Sequence, residues 1–329
     1  MTTGTTRPAS IWAALATVYV VWGSTYLAIR VVVEADIPPL AGMGTRFLVA
    51  GTILAAFIAF RHGPARLRVS ARELRGAAFM GIMLLVFGNG VVAIAEQTVP
   101  SGLTALIVAA IPLWFVLFRV AGGERPRTTT WFGVLIGLGG VAGVSLPRGG
   151  LDGVETWGIL LLILAPLSWA TGSYLSPRLG LPRDALVTSA YEMLVAGAVM
   201  TTVSVISGEA ADLDVTSVPA RGWIALAYLV LIGSLLGYTA YSFALAHAPL
   251  SLVGTYAYVN PVVAVLLGWA ILDETVTSVV VGGGALVIGG VALVVSGERP
   301  AGPAGPRRRR ETAGPAVPLK RARARARRG

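Results

Sequence analysis

Thr45-Arg46-Phe47-Leu48-Val49-Ala50-Gly51 recurs downstream as Ala190-Tyr191-Glu192-Met193-Leu194-Val195-Ala196-Gly197, so that Arg46 falls on Glu192 and Leu-Val-Ala-Gly follows both. The register persists with small slips. Val99-Pro100 matches Ala248-Pro249, Pro112 matches Pro261, Glu124 matches Glu274, and Gly139-Gly140-Val141-Ala142 matches Gly289-Gly290-Val291-Ala292. Upstream, Trp22-Gly23-Ser24-Thr25-Tyr26 through Arg30 matches Trp169-Ala170-Thr171-Gly172-Ser173-Tyr174 through Arg178 with one inserted residue. Each copy holds five apolar stretches, and an odd number of spans gives the second copy the opposite orientation in a membrane. Inverted halves that rock around one central site are a construction of secondary transporters. Transport is therefore the leading expectation.

Composition points to a membrane protein independently of the repeat. Hydrophobic residues make up 55% of the chain, charged residues only 13%, and glycine occurs 41 times, a balance foreign to a soluble domain of this length. Ten apolar stretches can be read, at 11–31, 40–60, 76–95, 102–120, 131–147, 157–175, 185–206, 222–245, 251–271 and 279–296. Most approach the ~20 residues that cross a hydrocarbon core as a helix. The runs are continuous and do not alternate, which excludes a β-barrel. The expected fold is all-α and integral to the membrane, with ten transmembrane helices as two inverted five-helix repeats. The expected division is a cytoplasmic N-terminus at 1–10, a first repeat at 11–147, a second at 157–297 and a disordered tail at 298–329.

Arginine placement sets the expected orientation. Arg61, Arg66, Arg68, Arg72 and Arg75 share one link, and Arg125, Arg127, Arg178 and Arg183 lie in later links on the same side. Acids dominate the other side, among them Glu34, Asp36, Asp152, Glu155, Glu209, Asp212, Asp214, Asp273 and Glu274. The positive-inside rule then puts both termini in the cytoplasm of a multi-pass protein of the cell membrane. The first stretch reads as an uncleaved signal anchor, too long for a signal-peptide core.

The net charge of +10 belongs to the tail. From Arg299 onward the chain carries eleven of its 26 basic residues and one acid, Glu311, so residues 1–298 sum to zero. A segment of arginines spaced by Ala, Gly and Pro cannot bury a core. It is expected to meet anionic lipid headgroups or simply to fix topology; with no aromatic residue to stack on bases, nucleic acid is not the expected partner. Absences prune the chemistry further. There is no cysteine, and Lys320 is the only lysine, so no phosphate-binding Gly-x-x-x-x-Gly-Lys loop exists. His62 and His247 are the only histidines and form no metal-binding pattern. No metal, cofactor or enzymatic activity is expected.

Charged side chains inside spans are costly and are kept where they pair or face water, which makes each a functional hypothesis. Arg46 lies roughly 10 Å below the outer face and Glu192 a similar depth below the inner face. The pair could bind a zwitterion, open and close with the gates, or serve only as a structural salt bridge. Glu96, near the outer end of the third span, could take up and release a proton during a cycle, as could Glu192; the plain alternative for Glu96 is a helix-end residue in the headgroup zone. Trp22 and Tyr26 share a helix face, Tyr174 repeats the Tyr26 position, and Tyr256 and Asn260 share a face beside Pro261. These residues and Asn89 are the expected pathway lining, with packing, interfacial or helix-helix roles as alternatives. The glycine-rich fifth and tenth spans read as packing or homodimer-contact helices.

Val21-Trp22-Gly23-Ser24-Thr25-Tyr26, Thr45-Arg46-Phe47, Ala95-Glu96-Gln97 through Pro100-Ser101-Gly102-Leu103, Ile111-Pro112-Leu113-Trp114, and Asn260-Pro261 followed by Glu274 resemble the drug/metabolite transporter superfamily, specifically its EamA-like family. The resemblance covers nearly all of the chain except the tail. It implies a ten-helix fold with both termini inside and secondary transport, often export of amino acids, metabolites or toxic compounds. The expected function is thus a secondary transporter, most plausibly an exporter, of small organic solutes by alternating access. The alternatives are a facilitator without ion coupling, and a membrane scaffold or sensor acting through its tail.

Overall fold

The computed structural model describes residues 8–99, 104, 107–145, 156–272 and 278–297. Its helices are α1 Pro8–Glu34, α2 Pro39–His62, α3 Ala71–Ala95, α4 Ile111–Ala121, α5 Thr128–Ser145, α6 Thr156–Leu175, α7 Ala185–Ile206, α8 Ala220–His247, α9 Tyr256–Leu272 and α10 Ser278–Gly297. Among the described residues six segments are long and apolar enough to cross a membrane: α1, α2, α3, Trp157–Arg178, α7 and α8. Ile111–Ala121 and Val281–Val294 are shorter apolar helices. The protein is a multi-pass membrane protein. The link 146–155 and the basic tail, with the expectations attached to them, lie outside the described residues.

Helix starts follow local chemistry. α2 begins at Pro39, where a missing N–H costs nothing. Ser70 and Glu73 form a reciprocal capping box at the start of α3, Ser70 N–H donating to Glu73 Oε2 at 2.8 Å and Glu73 N–H to Ser70 Oγ at 3.3 Å. Asp184 caps α7 by accepting the Leu186 N–H at 3.0 Å. The same carboxylate takes Arg66 Nε and Nη2 at 3.0 and 2.8 Å, so Arg66 is not a lone loop charge.

Small residues set how the helices meet. A Cβ placed on Gly197 would lie 2.5 Å from Leu48 N, one on Gly51 2.9 Å from Leu194 N, and one on Gly44 2.9 Å from Thr201 N. Residue numbers rise along α2 as they fall along α7, so the two helices run antiparallel with backbones nearly touching. The pair α5 and α10 repeats the arrangement: a Cβ on Gly133 would lie 2.8 Å from Val294 N, one on Gly140 2.6 Å from Val287 N, and one on Gly290 2.6 Å from Gly137 N. These glycines therefore serve contacts inside the chain, whereas Gly139, Gly282, Gly284 and Gly289 face open space. Around this frame α1 packs on α9 and α8, and α6 packs on α4 and α3.

α3 and α8 are interrupted at matching places. Gly81–Gly90 and Leu229–Tyr238 each wind as a π-helix of ten residues, a geometry that re-aims side chains and is frequent at functional sites.

Crowding predicts a sharp contrast among glycine variants. Gly197→Leu and Gly51→Leu force the α2–α7 backbones apart and should destabilise by about 1–3 kcal/mol or more, read as a lower melting temperature in detergent. Gly139→Leu, with nothing in its way, should melt like the parent chain.

Candidate functional site

Residues at i, i+3, i+4 and i+7 share one face of a helix. Trp22, Thr25, Tyr26 and Ile29 of α1 occupy such a face, and it lines a narrow chamber of about 510 Å³, open mouth included. Arg46 of α2, Gly88 and Asn89 of the α3 π-segment, Pro166 and Trp169 of α6, and Tyr256 and Asn260 of α9 complete much of the wall. Pro166 and Pro261 lie inside their helices and each removes one backbone hydrogen bond beside the chamber. Its mix of aromatic walls with a few polar groups is typical of small-molecule sites.

Arg46 is the only charged group lining this chamber among the described residues, and it is 2% exposed. Its Nε donates to Ser234 Oγ at 2.9 Å, and Nη1 donates to Asn89 Oδ1 at 3.3 Å and reaches Met43 Sδ at 3.6 Å. Its Cζ sits 4.6 Å over the Phe47 ring. All these partners are neutral. Arg46 makes no ion pair among the described residues, and its Nη2 donates no hydrogen bond. Two further polar atoms in the wall, Tyr256 OH and Asn260 Oδ1, are enclosed without a partner. Buried polar atoms are paired in the great majority of cases, so unpaired ones clustered in a cavity mark where water or a ligand goes.

A layer of aromatic rings closes the chamber on one side. Trp22 meets Trp169 and Tyr256 edge-on at 5.3 and 5.1 Å, and its ring lies 5.0 Å from Tyr241 and 6.5 Å from Tyr238. Apart from Tyr256 OH, the polar ends find partners. Trp22 Nε1–H donates to Gly233 O at 3.2 Å, Trp169 Nε1–H to Tyr241 OH at 2.8 Å, and Tyr241 OH also bonds Ser173 Oγ at 2.7 Å.

Glu192 lies past that layer. It is 1% exposed and accepts from Tyr238 OH at 2.9 Å. It lines a separate cavity of about 810 Å³ with Met80, Leu84, Ser176 and Thr188. Arg46 and Glu192 do not pair with each other.

Six of the eight expected lining residues therefore meet in one chamber: Trp22, Tyr26, Arg46, Asn89, Tyr256 and Asn260. Tyr174 does not join them. It stands at the other end of the bundle, 5.5 Å from the Phe118 ring and beneath the Arg178 guanidinium at 4.6 Å. Glu96 sits one turn beyond Val92 of the chamber wall, 1% exposed, with both carboxyl oxygens lacking a partner. Its carbonyl accepts from Arg30 Nη1 at 3.5 Å.

Sequence reasoning missed Tyr238, Tyr241 and Ser234. One signal for Tyr238 was present: carrying Asn89 through the offset that joins Val99-Pro100 to Ala248-Pro249 lands on Tyr238. The Arg46 partner and the Glu192 partner are thus equivalent positions in the two repeats. Ser234 and Tyr241 had no comparable marker, because their roles arise from helices far apart in the chain.

Comparison with known proteins agrees with this architecture. The chain is 41% identical over 272 residues to the uncharacterized inner membrane transporter YedA of Escherichia coli strain K12, covering 82% of this chain and 85% of that protein. It is 29% identical to Protein PecM of Dickeya dadantii, over 77% of this chain and 82% of that one. A solved crystal structure shares the fold with a TM-score of 0.70 at 20% identity, over 88% of this chain and 98% of its own. The EamA-like transporter family matches residues 8–146 and a second time residues 156–296, and the chain belongs to that family.

Proposed function

We propose that this membrane transporter is a secondary exporter of small organic solutes, with ten spans arranged as two inverted repeats that alternate access to one central site. The observation that carries the reading is a buried Arg46 with no ion pair among the described residues, lining a narrow aromatic chamber that an aromatic layer separates from a second cavity holding Glu192. Geometry supports the inversion. In the repeat register, α2 and α7 bring equivalent residues together between Val49 and Ala50 and between Val195 and Ala196. Arg46 and Glu192 then stand about 5 Å to either side of the crossing, at 1.5 Å per residue.

In this reading the chamber admits solute from one face while the aromatic layer seals the other. Parting Trp22 from Tyr238 and Tyr241 opens the Glu192 cavity, and closing α1 on α9 empties the chamber. The arginine-rich links support a cytoplasmic side for the Glu192 cavity in this reading. The tail serves as a lipid-facing anchor, and the open glycines of α5 and α10 suit contact with a second copy.

Arg46→Gln should lower transport about tenfold or more with membrane levels preserved, since a hydrogen bond to a charged group is worth about 1.5–3 kcal/mol. Glu192→Gln should do the same. Arg66→Ala breaks a bridge whose side chains are 56% and 25% exposed, worth at most about 1 kcal/mol, and transport should persist. Near-parental rates in both buried variants would remove the two charges from the pathway.

Uphill movement without a nucleotide site draws on an ion gradient, for which protons acting at Glu192 or Glu96 are the proposal. Collapsing the proton gradient across proteoliposomes should abolish accumulation. Rates indifferent to the gradient, and to Gln at both acids, would favour the facilitator. Truncation after Gly297 should leave transport intact, whereas a scaffold acting through its tail would lose its function.

A further inference from the structure

We propose that the Arg46 chamber selects a compact organic monoanion: a carboxylate on a flat apolar body, with no ammonium group. The inference rests on the chamber being the transport site and names the solute class that the site takes.

Charge decides the point. Arg46 is buried, its hydrogen-bond partners Ser234, Asn89 and Met43 are neutral, and no acid lines the chamber among the described residues. Glu192 is on the far side of the aromatic layer and bonded to Tyr238; Glu96 is a turn outside the wall. A monoanion neutralises the isolated guanidinium. A zwitterion leaves the chamber with the same net charge it had when empty, and its ammonium finds only neutral acceptors. A cation adds like charge to a desolvated site, the least favourable case.

Hydrogen bonding agrees with charge. Nη2 of Arg46 has no acceptor among the described residues, and Arg46 lines the cavity. The guanidinium fork is matched to carboxylate geometry. Tyr256 OH, 2% exposed and unpaired, can donate a hydrogen bond to a ligand oxygen, and the unpaired Asn260 Oδ1 can accept one from a ligand O–H or from water. Trp22, Tyr26, Trp169 and Tyr256 supply broad apolar faces within a narrow space, which suits a planar body over a bulky one.

Four ligands on one skeleton test the proposal: 3-phenylpropanoate, phenylalanine, phenethylamine and 3-phenylpropanamide. Binding to the purified full chain in lipid nanodiscs is read by thermal shift and by tryptophan fluorescence, two of the eight tryptophans lying in the chamber wall. The propanoate should bind about tenfold or more tightly than each of the others, the scale of one charge-assisted pair. Arg46→Gln should erase its advantage over the amide, and Arg46→Lys, which keeps the charge without the fork, should retain part of it.

Equal or tighter binding of phenylalanine or phenethylamine overturns the proposal, as does failure of all four to bind the parent chain. Since the ligand series is read on the parent chain, the proposal stays testable if the variants misfold. Vesicle transport measured in parallel separates the two levels. Anion binding without movement counts against the transport reading alone, whereas movement of phenylalanine in preference to the propanoate counts against the anion assignment alone.

Discussion

The backbones of α2 and α7 touch because Gly44, Gly51 and Gly197 carry no Cβ, and the rest of the molecule is arranged around that contact. Without a hydrophobic drive between helices in lipid, close van der Waals approach through small residues is what holds spans together. The approach also fixes register. A one-residue slide would drive Leu48 or Leu194 into the opposing backbone, so the relative heights of Arg46 and Glu192 are set by where the glycines sit. The α5–α10 contact repeats the device at Gly133, Gly137, Gly140 and Gly290, and the two antiparallel pairs frame the bundle.

Two buried charges of opposite sign then receive different treatment. Glu192 is engaged by Tyr238, while Arg46 lines a cavity and its Nη2 has no acceptor among the described residues. Both are served by the π-helical segments. Asn89 and Ser234, which hold Arg46, come from α3 and α8 respectively, and Tyr238, which holds Glu192, closes the α8 segment. The α8 segment supplies a partner to each charge, so a shift in that segment acts on both. Between them Trp22, Trp169, Tyr238 and Tyr241 have their N–H and O–H groups hydrogen-bonded, whereas Tyr256 OH in the same layer is unpaired.

Much of this was legible beforehand. Leu-Val-Ala-Gly in two places announced the repeat, and the family matches at 8–146 and 156–296 fall on the same halves. A charged residue in an apolar run is conspicuous on a one-dimensional reading because hydrocarbon penalises it unless it pairs or faces water. Helical spacing likewise grouped Trp22 with Tyr26 and Tyr256 with Asn260, and both pairs line the chamber. Tyr174, grouped with Tyr26 by repeat position, stands away from that chamber, against Phe118 and Arg178.

Class, repeat, apolar segments and the identity of the buried charges were determined by the sequence alone, because hydropathy and period are local properties summed along the chain. Which groups meet was decided only by tertiary structure. Ser234 beside Arg46, Tyr238 beside Glu192, and Tyr241 between Trp169 and Ser173 are contacts across 188, 46, and 72 and 68 residues of chain. Helix register and crossing create them, and no spacing rule encodes either. For the same reason the sequence could offer Arg46 and Glu192 as a pair, but only the packing of α1, α8 and α9 put a wall of aromatic rings between them and left the arginine alone.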